Sequence, residues 1–327
     1  MAQKLYITTS PHIHCGDTIE RNMRTVIWAL VPAFIASIIY FGVGAVIVTA
    51  TSVASCLFFE WFITRFLLKR PSTLADGSAI ITGILLAFNL PSNIPSYMIV
   101  MGALVAIGIG KMAFGGLGNN PFNPALVGRV FLLISFPARM TSWPVPHQMV
   151  AYTDAVTGAT PLNLIGQIAG GNTAAAEQLP GLKDLFLGNI GGCLGEVSAV
   201  ALLLGLVILL WRRVITWHIP VTILATVAVL TGILWLVNPV LYVNPLYHLC
   251  AGGLMLGAIF MATDYVTSPM TPTGMVWYGI GIGFLTVIIR YFGSYPEGMS
   301  FAILIMNAVV PLINNWCKPK RFGEAVK

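Results

Sequence analysis

Long apolar stretches joined by short polar connections constrain this chain more than any other feature. Of its 327 residues, 57% are hydrophobic and only 9% are charged, whereas a soluble domain normally carries about a quarter charged residues. So few charges leave an apolar surface that has to face lipid. Because a helical span takes about 20 mostly apolar residues, the stretches have room for about ten spans. We therefore predict an all-α integral membrane protein.

Two halves can be recognised in the order of these stretches. The predicted spans lie at 25–43, 45–64, 78–90, 96–112, 122–136, 188–211, 217–237, 246–261, 275–292 and 299–316. The third and the eighth are short, and they run into Asn89 and Asp264. Polar breaks at matching places in two halves are typical of transporter-like inverted repeats with a site near the middle of the membrane.

We therefore predict two five-helix inverted repeats with broken or short helices. The expected units are a cytoplasmic N-terminal segment, a first five-span half, an extracytoplasmic segment, a second five-span half and a cytoplasmic tail, at 1–24, 25–136, 137–187, 188–316 and 317–327.

Lysine and arginine placement predicts the orientation. With the N-terminus in the cytoplasm, thirteen of these residues fall in inside segments and only three in outside segments, which is a strong positive-inside bias. Both termini are therefore expected in the cytoplasm. The net charge of +6 comes from these basic residues at the ends of the spans. The sequence has no basic stripe with interleaved aromatic residues, so it does not predict a nucleic-acid partner. The first 20 residues show no apolar signal-peptide core.

The five cysteines do not predict a metal centre. They are scattered, with no CxxC pair: Cys15, Cys56, Cys193, Cys250 and Cys317. Iron–sulfur clusters need clustered thiolates, so packing in or near the spans is the favoured interpretation.

The stretch from Asp154 to Leu162 carries the most specific chemical signal. Thr160 precedes a proline, so it should be extended, and Thr followed by Pro favours an N-cap with a helix starting at Pro161. A simple helix cap is the interpretation that the local sequence alone favours. The same helix terminus would also suit a phosphate. Gly158 and Ala159 leave room for a bulky group, and Asp154 could assist proton removal or metal placement.

A second candidate site lies at the polar breaks, where freed backbone carbonyls could hold a cation. Its residues are Asn89, Asn119, Asn120, Asn123 and Asp264. The alternative is that these residues cap broken helices and satisfy one another.

Some other charged residues fall in or near spans. Glu60 and Glu196 could be ion or proton ligands, or solvated near the interfaces. Arg129 is expected to pair with a protein carboxylate, with a ligand phosphate as the alternative. For His12 and His14, a solvated tail is favoured over a metal-binding pair.

Five motifs together resemble the RnfD/NqrB family of membrane subunits. They are Ser10-Pro11-His12-Ile13-His14, the run Gly115 to Pro124, the Asp154-x-x-Thr157-Gly158-Ala159-Thr160 pattern, the run Met261 to Pro269, and Tyr295-Pro296-Glu297-Gly298. The Rnf branch matches better, because Nqr-type chains carry a longer N-terminal extension. The resemblance implies FMN bound covalently by a phosphoester to Thr160, transferred from FAD by a flavin transferase that recognises Asp154, Thr157, Gly158 and Ala159. In such a chain the inner polar breaks could hold a second flavin such as riboflavin as the alternative to a cation, and a flavin phosphate could be the partner of Arg129.

The resemblance also implies a function. Electrons would pass between reduced ferredoxin and NAD through the partner subunits RnfA, RnfB, RnfC, RnfE and RnfG, coupled to Na⁺ or H⁺ translocation across a bacterial or archaeal cytoplasmic membrane. The alternatives are an NqrB-like quinone-reductase subunit, a non-redox transporter with broken helices, and a scaffold subunit.

Overall fold

The computed structural model describes residues 18–70, 73–196, 198–293, 295 and 297–318. The motif at 10–14 with His12 and His14, and also Cys15, lies outside the described residues. The α-helices are α1 (Ile19–Phe41), α2 (Val43–Phe62), α3 (Ser78–Phe88), α4 (Ser96–Leu104), α5 (Pro124–Ser135), α6 (Pro137–Met140), α7 (Pro161–Ala169), α8 (Leu182–Leu187), α9 (Ala199–Trp211), α10 (His218–Val237), α11 (Pro245–Cys250), α12 (Leu254–Leu256), α13 (Pro272–Phe292) and α14 (Met299–Trp316).

Short π-helical and 3₁₀ turns extend several of these helices. The π-helical turns are Ile63–Leu67, Val105–Ile109 and Gly257–Met261, and the 3₁₀ turns are Leu74–Asp76, Met112–Phe114 and Thr173–Ala176. The strands described are β1 (Trp143–Pro144) and β2 (Thr157–Gly158), which pair antiparallel with Trp143 opposite Gly158. The predicted all-α fold class is confirmed.

Six helical stretches in the described residues are long and apolar enough to cross a membrane: Ile19–Phe41, Val43–Leu67, Ser96–Phe114, His218–Val237, Pro272–Phe292 and Met299–Trp316. Three apolar helices are shorter: Ser78–Phe88, Pro124–Ser135 and Ala199–Trp211. The protein is therefore a multi-pass membrane protein that combines long and short apolar helices.

Two predicted spans need correction. The sixth was predicted to start at residue 188, but α9 starts at Ala199, where the Ser198 hydroxyl accepts a hydrogen bond from the Ala201 amide. The preceding segment instead packs on the end of α3, where the Gly195 amide donates to the Phe88 carbonyl at 2.9 Å. The eighth span is interrupted between α11 and α12, because Gly252 adopts a left-handed φ of 73°.

Packing follows the same scheme in the two halves. Helix α2 contacts α3 and α4 extensively, α10 contacts α11 and α13 in the corresponding way, and α1 packs on α9 across the halves. This arrangement is compatible with two five-helix halves, and their inverted relation stays a prediction.

Two of the basic residues counted as loop charges in the orientation prediction are buried in the structure. Lys111 is 2% exposed and Arg290 is 5% exposed, so neither is a solvated loop charge. Removing them leaves the bias in the same direction, and the cytoplasmic placement of both termini stays a prediction.

The segment between α5 and α9 is fastened to the connection of α1 and α2. The His147 amide donates to the Tyr40 carbonyl at 2.8 Å, and the Val43 amide donates to the Met149 carbonyl at 2.9 Å. Gly42 permits this approach, since a Cβ there would lie 2.2 Å from the Met149 carbonyl oxygen. The segment therefore occupies the same end of the molecule as the α1–α2 turn.

Close approach of α2 and α3 gives a test of the packing. A Cβ at Gly83 would lie 2.7 Å from the Val53 Cα, so Gly83→Ala should lower the free energy of unfolding by about 1–3 kcal/mol. Gly166 in α7 has open space around its Cα, so Gly166→Ala should be neutral or stabilising by up to about 1 kcal/mol. Thermal unfolding in detergent would compare the two, and equal melting temperatures would contradict this packing.

Candidate functional site

Thr160 has the local structure that its sequence predicts. Its backbone is extended at φ −78° and ψ 155°, and its hydroxyl accepts a hydrogen bond from the Asn163 amide at 3.2 Å. Pro161 occupies the first position of α7. The Thr160 side chain therefore lies at the positive end of this helix, where the helix dipole favours an anion.

The residues before Thr160 form an exposed edge. Thr157 and Gly158 are the exposed strand β2, and Asp154 and Ala159 are exposed as well. Thr160 itself is only 5% exposed. The structure thus brings the predicted motif together at an accessible stretch of backbone, at the end of which the Thr160 hydroxyl is buried.

An inner cavity opens between the two halves, with about 830 Å³ of empty space including its mouth. Its wall is mainly apolar, with contributions from α1, α3, α5 and α9. Its polar lining residues include Asn22, Ser78, Lys111, Asn120, Asn123 and Asp264. An apolar cavity with a few convergent polar groups is the usual form of a small-molecule site.

Three of the five predicted inner residues line this cavity. Asn123 caps α5 through the Ala125 amide and donates to the Met261 carbonyl at 3.2 Å. Asn120 is 4% exposed, and its Oδ1 is buried without a partner among the described residues. Burial raises the pKa of the half-buried Asp264 carboxyl, and hydrogen bonds from the Val266 backbone and from Thr267 oppose that rise.

The other two predicted inner residues lie elsewhere. Asn119 is exposed and does not line the cavity. Asn89 is buried beyond Met261, where its amide group donates to the Leu85 carbonyl at 2.6 Å. The cavity and the Asn89 site are therefore neighbours separated by Met261, and the five residues do not form one site.

A buried ion pair stands beside the cavity. The Lys111 ammonium donates to Glu60 Oε2 and to the Ser78 hydroxyl, both at 2.6 Å. The Lys111 and Glu60 side chains are 2% and 0% exposed, so the interpretation of Glu60 as a solvated residue is wrong. Sequence reasoning missed this pair because the two residues are 51 positions apart in the chain. The signal that could have indicated it is that each charged residue is flanked by apolar residues.

A second ion pair joins α5 to the start of α14. Arg129 is buried and bonds Glu297, as the favoured interpretation of Arg129 predicted. Its Nη1 also donates to Asn89 Oδ1 at 2.7 Å and to the Ser300 hydroxyl at 2.6 Å. This arginine ties the end of α3 to α14.

Glu196 and Arg290 meet at the break between α11 and α12. Arg290 donates to the backbone carbonyls of His248 and Ala251 at 2.6 and 2.8 Å. Glu196 is 6% exposed, which corrects the interpretation of this residue as solvated. The Cys193 thiol donates to the Asn89 carbonyl at 3.4 Å, so the cysteine adjoins the same buried cluster.

Each of the three π-helical turns in the described residues lies next to a charged residue of this interior. They follow Glu60 in α2, precede Lys111 after α4, and precede Asp264 after α12. Such turns are frequent at functional sites. Lys111 and Asp264, which follow two of these turns, line the cavity.

Comparison with known proteins identifies the family. Residues 6–323 match the model of the NQR2, RnfD, RnfE family. The chain belongs to this family. Its relatives include a subunit of the Na⁺-translocating ferredoxin:NAD⁺ oxidoreductase complex of Acetobacterium woodii, 44% identical, with 98% of this chain and 95% of the relative covered.

Two further relatives extend the comparison. A subunit of the proton-translocating ferredoxin:NAD⁺ oxidoreductase complex of Clostridium ljungdahlii is 40% identical over 97% of this chain and 96% of the relative. A subunit of an ion-translocating oxidoreductase complex of Stutzerimonas stutzeri is 40% identical over 94% and 93%. The family resemblance drawn from the motifs is confirmed. The names of its members differ in the ion they state.

The buried pair beside the cavity generates a stability prediction. Lys111→Met leaves the Glu60 carboxylate buried without its cation, so the free energy of unfolding should fall by about 3–5 kcal/mol. The double variant Glu60→Gln, Lys111→Met should recover most of this loss. Arg24→Met is the control, because Arg24 and Glu20 are 75% and 53% exposed and their pair contributes less than about 1 kcal/mol.

Thermal unfolding of these variants in detergent would measure the effect. Equal losses for Lys111→Met and Arg24→Met would contradict the burial of the pair.

Proposed function

We propose that this chain is the membrane subunit of an ion-translocating ferredoxin:NAD oxidoreductase of the Rnf type and carries FMN on Thr160 through a phosphoester. Electrons pass between ferredoxin and NAD through the partner subunits RnfA, RnfB, RnfC, RnfE and RnfG. Their passage is coupled to Na⁺ or H⁺ translocation. The modified segment faces outward, and both termini face the cytoplasm.

The observation that carries this proposal is the position of Thr160. An Asp-x-x-Thr-Gly-Ala-Thr pattern at 154–160 ends at the cap of α7, in a chain that belongs to the NQR2, RnfD, RnfE family. A modifying enzyme can approach the exposed residues 157–159. The helix then receives the new phosphate at its N-terminus, as helices receive phosphates in many proteins.

The residues around Thr160 fit a ribityl phosphate. The Asn163 amide, which now donates to the Thr160 hydroxyl, can donate to a phosphate oxygen instead. Pro161 has no amide hydrogen to lose and fixes the first turn. FMN, when bound there, supplies one- and two-electron transfer. The chain itself supplies position and a positive helix end.

Attachment requires a local opening, because Thr160 is 5% exposed. Within the described residues, the only strand contact of its neighbours is the two-residue pairing of β1 with β2, so this segment belongs to the low-stability part of the fold. In the transfer, the Thr160 Oγ forms a bond to the FMN phosphorus. The pyrophosphate bond of FAD breaks, AMP leaves, and the hydroxyl proton is released.

The inner cavity is the proposed place of a second flavin such as riboflavin. Asn120 Oδ1, buried without a partner among the described residues, offers a hydrogen-bond acceptor for a ring N–H. The Asp264 carboxylate and the Lys111 ammonium add polar groups to an otherwise apolar wall. A cation in the same polar corner is the alternative occupant.

Two other functions compete with this one. A quinone-reductase subunit of the Nqr type would use the same attachment site, but the relatives described above are named as ferredoxin:NAD or ion-translocating oxidoreductase subunits. A non-redox transporter or a scaffold subunit would carry no flavin on Thr160.

Covalent attachment can be tested on a denaturing gel. With the flavin transferase present, the wild-type band should fluoresce under ultraviolet light, and Thr160→Ala should be dark because the acceptor oxygen is gone. Thr160→Ser keeps the hydroxyl and should retain fluorescence. Exposed Thr153, outside the motif, provides the matched control Thr153→Ala, which should fluoresce like the wild type. A dark wild-type band would refute the flavin subunit, and a fluorescent Thr160→Ala band would place the flavin elsewhere.

The inner site can be tested with two adjacent residues of the same type. Asn120→Leu replaces the buried amide that faces the cavity, so flavin released by acid from the purified complex should fall. Asn119→Leu changes an exposed residue and should leave the released flavin unchanged. Equal flavin content in the two variants and the wild type would count against a flavin in this cavity.

A further inference from the structure

One carboxylate in the interior has no place in the function proposed so far. Glu196 lies between α8 and α9 and is 6% exposed. Its Oε2 accepts one long hydrogen bond, from the Cys193 amide at 3.4 Å. In the part of the chain that the structure describes, no ion pair within 4.0 Å neutralises it. Arg290 Nη2 and Glu196 Oε1 both flank Gly252, 3.0 and 3.8 Å from where its Cβ would lie, and Arg129 is the other buried cation of this region. Because neither arginine forms a direct ion pair with it, the Glu196 carboxylate is only partly compensated and can take up a proton.

The surroundings of Glu196 have unused hydrogen-bonding capacity. Glu297 Oε1 is buried without a partner among the described residues, and it faces the break, 2.7 Å from where a Cβ on Gly253 would lie. The Nε atoms of Arg129 and Arg290 also lack acceptors in the same part of the chain. The ligand atoms of Cys193, Glu196 and Glu297 lie within 4.8 Å of one another. These groups form a small polar centre in an apolar interior.

The chemistry of this centre favours a proton over a metal ion. Hard cations such as Ca²⁺ and Mg²⁺ take about six oxygen ligands, and two carboxylates with a thiol do not supply them. Arg129 already occupies Glu297 and lies 3.8 Å from the Cys193 sulfur, so its charge repels a second cation of higher charge. A proton needs no coordination shell, and two neighbouring carboxylates readily share one.

We propose that Glu196 is a redox-linked proton-binding site, paired with Glu297 at the break between α11 and α12. When it is protonated, its O–H can turn towards the acceptor that Glu297 Oε1 offers, directly or through one water. The step is proton transfer alone: a hydronium ion supplies the proton and becomes water, an O–H bond forms on the Glu196 carboxylate, and no electron moves to or from the side chain.

The link to Thr160 runs through α7. Leu162 Cδ2 and Glu196 Oε1 lie 3.0 and 3.8 Å from where a Cβ on Gly252 would lie. Helix α7, which Thr160 caps, thus rests on the break beside Glu196. The inference rests on the proposed function, because the flavin on Thr160 supplies the charge. Negative charge on the reduced flavin disfavours the ionised form of Glu196 and so favours its protonation, since Coulomb interactions are strong in a low-dielectric interior.

Infrared difference spectra between the oxidised and the reduced complex in membranes test this site. We expect a carboxylic-acid C=O band to appear on reduction of the wild type, to be lost in Glu196→Gln, and to persist in Glu177→Gln. Gln has nearly the shape of a protonated Glu, so the covalent flavin fluorescence of Glu196→Gln should be retained. Glu177 is exposed in the outer segment, which makes it the matched control.

The outcomes separate the two proposals. A band that persists in a fluorescent Glu196→Gln complex, or no carboxyl band in a fluorescent wild type, would overturn the proton site and leave the flavin subunit standing. Absence of covalent flavin in the wild type would contradict the flavin subunit instead. If Glu196→Gln does not fold, Glu196→Asp decides: a shifted band supports the site, and an unchanged band overturns it.

Discussion

A broken helix persists inside a membrane only where other groups satisfy the backbone that the break releases, because an unsatisfied carbonyl in hydrocarbon costs several kcal/mol. Here Arg290 does this for the break between α11 and α12 by donating to the carbonyls of His248 and Ala251. Arg129 supports the end of α3 indirectly: it donates to the Asn89 side chain, which in turn donates to the Leu85 carbonyl. The two arginines are therefore a condition for the short helices, and the short helices make room for polar sites.

Arginines in the interior have consequences of their own. A buried cation needs a counter-charge, and Glu297 supplies one for Arg129. Gly253 and Gly252 let the break approach Glu297 and Glu196, since a Cβ on Gly253 would collide with the Glu297 carboxylate. The arginines that satisfy the broken helix thus require carboxylates beside them, and these carboxylates cluster between the 137–187 segment and the inner cavity.

Sequence reasoning succeeded where local rules decide and failed where tertiary contacts do. The Thr160 cap follows from a threonine before a proline, and the apolar stretches follow from hydropathy, so both were predictable. The Glu60–Lys111 pair depends on how α2 meets the end of α4, which no local pattern records. Asn119 and Asn120 are adjacent and identical in type, yet one is exposed and the other buried, because the turn before α5 points them in different directions. The start of α9 was misplaced because residues 188–195 are uncharged, like the helix that follows, yet Leu194 and Gly195 bond in turns to the end of α3.

The way charge is distributed argues that the interior is functional. Replacing a buried ion pair by apolar residues of similar size is often neutral or stabilising, so stability alone gives little reason for such pairs. Among only 11 acidic residues in the whole chain, Glu60, Glu196 and Glu297 are buried or nearly so. Each lies near a break or a π-helical turn. Glu60 bonds Lys111 at the wall of the inner cavity, whereas Glu196 and Glu297 lie at the break on which the helix capped by Thr160 rests. Under the proposed function, a change of charge at the flavin or in the cavity would act on these carboxylates, which can respond by binding or releasing a proton or an ion.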